Sequence, residues 1–202
     1  MAIADLFQIS VDELLSNEKS EKKQSNYIYE SRTEYDIDGK KNFDIKLGGA
    51  YAVDLKAYHG EKIEVAMFSN VYKNLLADYK VKIDDIKNRI DIDLNRFNEA
   101  SEADAKESLV ITIFIPVKYI GKIELSVNAG TLNITDIENE HIEVNGKISE
   151  VTLQGNKSEI EIDSNLDMQI SVLSHEGALE INQLSATSRL TLPADYRFRS
   201  TK

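Results

Sequence analysis

The side chains that could do chemistry in this chain are its carboxylates. Asp84-Asp85, Asp91/Asp93, Glu138/Glu140, Glu159/Glu161 and Asp163 form close groups. Paired carboxylates can act as general acid and base on a glycosidic bond. Stacked ones can supply oxygen ligands to a hard cation such as calcium. Asp91/Asp93 and Glu159/Glu161 sit at alternate positions of apolar-polar-apolar runs, so they are expected on a solvated strand face. His59, His141 and His175 are scattered, and no two have metal-ligand spacing. His59 and His175 stand beside glycine in expected turns, His141 precedes a strand, and all three are expected to be exposed and structural. The sequence has no phosphate-cradling loop, nucleophile elbow or dinucleotide fingerprint. It therefore assigns no catalytic, cofactor-binding or metal-binding residue and no cofactor, and the chain is read as a non-enzyme. A carbohydrate-active reading would rest on Asp91 and Glu161.

Those residues are held by elements that are almost all β. The chain has 202 residues, 42% of them hydrophobic, enough for a sizeable core. It has no cysteine, which excludes disulfides and thiolate metal sites and fits a cytoplasmic location. The formal net charge of −11 should repel nucleic-acid phosphates and anionic lipid. No secretory signal or membrane-length apolar run is visible, and a cytoplasmic chain without a membrane span is expected.

From Tyr27 the apolar residues recur with period two. Three hairpins are expected, with turns at Asp38-Gly39, His59-Gly60 and Lys87-Asn88. Tyr51 is expected to point inward with Val53 and Leu55. Residues 95–108 read as a polar loop, Gly48-Gly49 as a turn or bulge, and "LVITIFIPV" as a central strand ended by Pro116. Beyond Pro116 the strands shorten to apolar pairs: Ile123/Leu125, Leu132/Ile134, Ile142/Val144, Val151/Leu153, Ile160/Ile162, Ile170/Val172, Leu179/Ile181 and Leu190/Leu192. Their first members are 9, 10, 9, 9, 10, 9 and 11 residues apart, so alternate pairs lie 18 to 20 apart. Gly121, Gly130, Gly146 and Gly177 stand just before such strands. The fold class is therefore all-β, a β-solenoid with two main short strands per 18–20-residue coil, with an ordinary antiparallel sandwich as the alternative. Residues 27–116 form its front half of longer strands and hairpins, and 117–202 its regular coils. No polar capping coil follows Leu190/Leu192, so that end is expected to be covered by a partner, a second copy or further residues.

Residues 1–16 differ. "IADLFQISVDELLS" reads as helical, with a capping box at Ser10 and Glu13 and a hydrophobic staple between Ile9 and Leu14. Ile3, Leu6, Phe7, Ile9, Leu14 and Leu15 need a packing surface that the polar linker 17–26, "NEKSEKKQSN", does not offer.

Two resemblances attach to these residues. Ala4, Leu6, Phe7, Ser10, Glu13, Leu14 and Leu15 resemble the last helices of the Cro/cI-type (Xre) helix-turn-helix domain. This implies a remnant of such a domain at 1–16, with the helix that enters the major groove expected upstream. "ESLVITIFIPVKYIGKIELSVNAGTLNITDI" and "HEGALEINQL" resemble the bacterial putative-adhesin domain family of unknown function. That resemblance implies a β-rich front leading into a right-handed solenoid, and no activity. The resulting expectation is a non-catalytic interaction or sensory module, the C-terminal part of a Cro/cI-type transcriptional regulator, with no nucleic-acid binding by this chain alone. A protein partner or self-association is expected. The alternative is a cell-envelope adhesin-like interaction protein.

Overall fold

The computed structural model describes residues 27–98 and 100–197. The helical segment expected at 1–16 and the linker at 17–26 lie outside them. Thirteen strands are joined in one hydrogen-bonded ladder: β1 (Tyr29–Asp36), β2 (Lys41–Tyr58), β3 (Lys62–Ser69), β4 (Tyr79–Ile86), β5 (Arg89–Arg96), β6 (Val110–Pro116), β7 (Ile120–Thr135), β8 (Glu138–Gln154), β9 (Asn156–Asp163), β10 (Met168–Val172), β11 (His175–Glu176), β12 (Leu179–Asn182) and β13 (Ser188–Thr191). Two short helices, α1 (Leu75–Asp78) and α2 (Glu102–Ser108), interrupt the front half.

The long strands β2, β7 and β8 each serve two rows of neighbours. Their first halves pair in the order β4-β5-β2-β7-β8-β9-β12. Their second halves pair in the order β1-β3-β6-β2-β7-β8-β10-β13. From β5 and β6 onward every pairing in both rows is parallel. The apolar pairs meet in register: Ile123 faces Ile142, which faces Ile160, which faces Leu179. In the second row Leu132 faces Val151, then Ile170, then Leu190. Each step is 18 to 20 residues, the spacing read from the sequence. Ile123, Leu125, Leu132, Ile134, Ile142 and Val144 are all fully buried, and the inward residues of both rows belong to one core. Burying each such side chain contributes roughly 1.5–3 kcal/mol.

Rung order departs from chain order at β2. It lies between β5 and β6 on one side and β7 on the other. Phe43 faces Ile90 and Ile123, and Leu55 faces Ile113 and Ile134. The front strand is thus inserted between two segments consecutive in sequence, and β2 and β7 join front and back in one core.

Four local expectations change. Only the hairpin at Lys87-Asn88 forms, between β4 and β5, with Lys87 at φ 56°. The turns at Asp38-Gly39 and His59-Gly60 do not close hairpins, because β1 pairs with β3 while β2 enters the parallel ladder. The polar loop contains α2, started by Ser101, whose hydroxyl accepts the Asp104 N–H at 3.1 Å. Tyr51 is 53% exposed while Val53 and Leu55 are buried, because it lies beside the bend of β2. That bend is a bulge, with the register slipping between Lys46 and Gly48 as expected for Gly48-Gly49.

Asparagines tie one rung to the next. Asn42 Oδ1 accepts the Lys122 N–H (2.9 Å), and Asn128 Oδ1 accepts that of Lys147 (3.1 Å). Asn156, buried, accepts from the Ile137 N–H (3.0 Å) and donates to the Ile134 carbonyl (2.7 Å). The Asn156 bonds are the buried ones: without them the Ile137 N–H would lack a partner away from water.

Candidate functional site

Cross-strand register, antiparallel from β4 to β5 and parallel beyond, brings carboxylates from seven strands into one row on the outer side of the first ladder. Asp84 faces Asp91, then follow Asp44, Glu124, Glu143, Glu161 and Glu180. The alternation that sends each flanking apolar residue inward sends these outward. Bare carboxylates about 4.8 Å apart would repel one another. Cations and amides on the same strands offset this. Lys82 pairs with Asp84, Arg89 Nε lies 2.6 Å from Asp91, and Lys46 Nζ lies 2.8 Å from Asp44. The pKa of each of these three cations is raised, chiefly by its hydrogen bond to the carboxylate. Farther along, Asn145 donates to Glu143 (2.7 Å) and Asn182 to Glu161 (2.8 Å), while His141 Nε2 stands 3.9 Å from Glu161.

This arrangement does not pair Asp91 with Glu161. Four strand spacings separate them, about 19 Å, against roughly 5–9.5 Å between the carboxyls of a glycoside-cleaving pair. Asp93 faces Lys46 and Lys82, Glu159 faces His141, Glu138 is paired with Lys157 at 3.1 Å, and Glu140 with Lys122 at 3.0 Å. Asp85 holds Lys41 at 2.8 Å, and Asp163 faces Asn145 and Asn182. Among the described residues no three of the His, Asp and Glu side chains converge where a metal ion could sit. The row itself was hidden from sequence reading, since its members belong to one group only through cross-strand register.

The histidines are also apart. His59 is exposed and His141 half-buried, whereas His175, expected in the open, is 6% exposed. Its Nε2 lies 3.4 Å from the Ala178 carbonyl, and its own carbonyl accepts from the Tyr196 hydroxyl at 2.9 Å. Burial lowers the His175 pKa below 6.5, opposed chiefly by the contact of its ring with the Ala178 carbonyl. The unfolded chain then binds more protons than the folded one below that value, so stability present above it is lost as pH falls through the folded pKa. Melting should therefore shift downward from about pH 7.5 to 5.5, and His175→Gln should flatten that slope. An unchanged slope in the variant would contradict the assignment.

The second notable surface is the last rung. Strands β12 and β13 each pair on one side only among the described residues. Leu184, in the turn after β12, is 89% exposed, and Leu190 is 42% exposed, whereas Ile170 and Val151, its equivalents in the preceding rungs, are buried. Leu179, Ile181, Leu192 and Tyr196 are half-buried and pack against the core. A shallow groove beside β12, lined by Asn145, Lys147, Asp163 and Ile181 to Leu184, runs to this edge. The edge thus combines unpaired strand backbone with a row of apolar side chains, the chemistry that accepts another strand.

No protein-family profile and no curated protein matches the chain. Solved structures do. A putative cell adhesion protein from Clostridium sporogenes superposes with a TM-score of 0.52 at 8% identity, over 82% of this chain and 100% of that one. A putative adhesin from Parabacteroides merdae aligns over 81% of this chain and 95% of its own, with 11% identity and a TM-score of 0.29. One from Bacteroides fragilis aligns over 82% and 98%, with 10% identity and a TM-score of 0.28. At 8% identity the first likeness is one of fold. Among the described residues no helix is long and apolar enough to cross a membrane.

Proposed function

We propose that the chain is a non-catalytic, adhesin-like interaction module whose parallel rungs form a β-solenoid and whose last rung is the contact surface. The observation that carries this reading is the open edge of β12 and β13 with Leu184 and Leu190 exposed. The fold likeness to the Clostridium sporogenes protein supports it at the level of architecture. The carboxylate row fits a solvated, cation-balanced face better than a reaction centre, since its members stand in a line and are not paired around a pocket. A second copy of the chain is the first partner to consider, because two identical strand edges can pair about a two-fold axis.

Sedimentation of the chain over a concentration series tests this. The wild type should self-associate, and the double variant Leu184→Lys, Leu190→Lys should stay monomeric with nearly unchanged melting. A wild type that is monomeric throughout would remove the second copy as partner.

The second reading, a module of a Cro/cI-type regulator working in the cytoplasm, draws on residues 3–15 of the sequence. Fractionation of the native cell separates the two. Protein accessible to protease on intact cells supports the adhesin-like reading, and protein confined to the cytoplasm supports the regulator.

A further inference from the structure

The opposite end of the stack carries its own exposed apolar residues, and they gather where residue 27 enters the fold. Tyr27 packs on Phe68 with ring centroids 5.7 Å apart, and the Ile28 N–H donates to Asn70 Oδ1 at 3.0 Å. Ser69 Oγ accepts the N–H groups of Val71 and Tyr72, fixing the turn that leads to α1. The Asp78 carbonyl, at the end of α1, accepts the Phe97 N–H at 2.8 Å. These bonds draw together the backbone that carries Ile28 (73% exposed), Val71 (64%), Leu76 (72%) and Phe97 (49%). The patch has a firm floor, because Leu75 and Tyr79 beneath it are buried in the core. Four large apolar side chains fixed together in water call for a cover.

We propose that the cover is the chain's own segment Ile3–Leu15, docked on this patch. Two observations select it. The segment is tethered there: ten residues, 17–26, separate it from Tyr27, and a linker of that length spans at most about 35 Å. Such a tether gives a millimolar effective concentration, roughly. The segment has the complementary composition, with Leu6, Phe7 and Leu14 among its apolar residues and a capping-box sequence at Ser10 and Glu13. Docking would supply the packing that so short a helix needs in water.

Hydrogen exchange on the full chain, read by peptide mass, tests this by reciprocity. In the wild type, amides of 3–15 should exchange about tenfold slower than in Phe7→Glu. Leu76→Glu should release the same amides, and Phe7→Glu should speed exchange across 70–78. Neither variant should alter exchange in 120–172, which shows that the fold survives. If Phe7→Glu leaves 70–78 unchanged, or Leu76→Glu leaves 3–15 unchanged, the proposal fails. Protection of 3–15 that disappears on dilution assigns the contact to a second copy and equally overturns docking within one chain.

Discussion

Replacing Gly146 by alanine should destabilise the protein by about 3–4 kcal/mol. Gly146 lies at the corner of β8, opposite Val127 of β7, with φ +148°. An added Cβ would stand 1.7 Å from the Val127 carbonyl oxygen and 2.8 Å from its carbonyl carbon. The obstacle is backbone, which cannot rotate aside, and it belongs to the neighbouring rung. Relief would require β7 and β8 to separate at the corner, losing ladder hydrogen bonds as well as straining φ. For a chain of this size the melting temperature should fall by roughly 10 °C. Gly177 repeats the arrangement at another corner, against Ser158 of β9, with φ +129° and its Cβ position 1.9 Å from the Ser158 carbonyl oxygen. Gly39 is the control: a Cβ there meets nothing within 4 Å. Gly39→Ala should change stability by less than about 0.5 kcal/mol. Thermal melts of the two variants decide the matter, and equal stabilities would refute the corner geometry.

The second large effect concerns position along the stack. Leu125 is fully buried between Ile45 of β2 and Val144 of β8. Leu190, in the last rung, faces only Ile170 among the described strands and is 42% exposed. Leu125→Ala removes buried methyl groups and leaves a cavity walled by two rungs, so a loss of about 2–5 kcal/mol is expected. Leu190→Ala removes side-chain atoms already in contact with water and should cost less than about 1 kcal/mol. Urea denaturation of both variants gives the comparison. Comparable losses would mean that the last rung is covered in solution, and the same measurement over a concentration series would show whether a second copy covers it.

Much of the core was legible because it depends on local alternation. A residue in a strand faces in or out according to parity, and water selects which parity is apolar. The pairs from Ile123/Leu125 to Ile170/Val172 are therefore buried where the sequence predicts. The turn at Lys87-Asn88 was legible for the same reason, since a hairpin joins neighbours in sequence. Asp38-Gly39 and His59-Gly60 carry equally good turn chemistry. Yet a turn fixes only where the chain changes direction, and it does not choose the partner of the strand that follows. The Ser101 cap followed by Asp104 was a readable helix signal within a segment that looked polar throughout.

The candidate surfaces divide in the same way. Which carboxylates point outward follows from parity alone. That Asp44, Asp91, Glu124 and Glu161 share one row follows only from the register of β2, β5, β7, β8 and β9. That His175 is buried depends on Tyr196 and the neighbouring rung, neither of which adjoins it in sequence. The sequence by itself determined an all-β chain, its 18–20-residue spacing and the parity of its inward residues, because these are properties of a strand and its solvent. Tertiary structure alone decided that β2 lies between β6 and β7, that the carboxylates form a line interleaved with cations, and that apolar surface remains at both ends. Those outcomes depend on pairing free energies between segments as far as 80 residues apart, such as Phe43 and Ile123, and no local pattern encodes which of several apolar strands will meet.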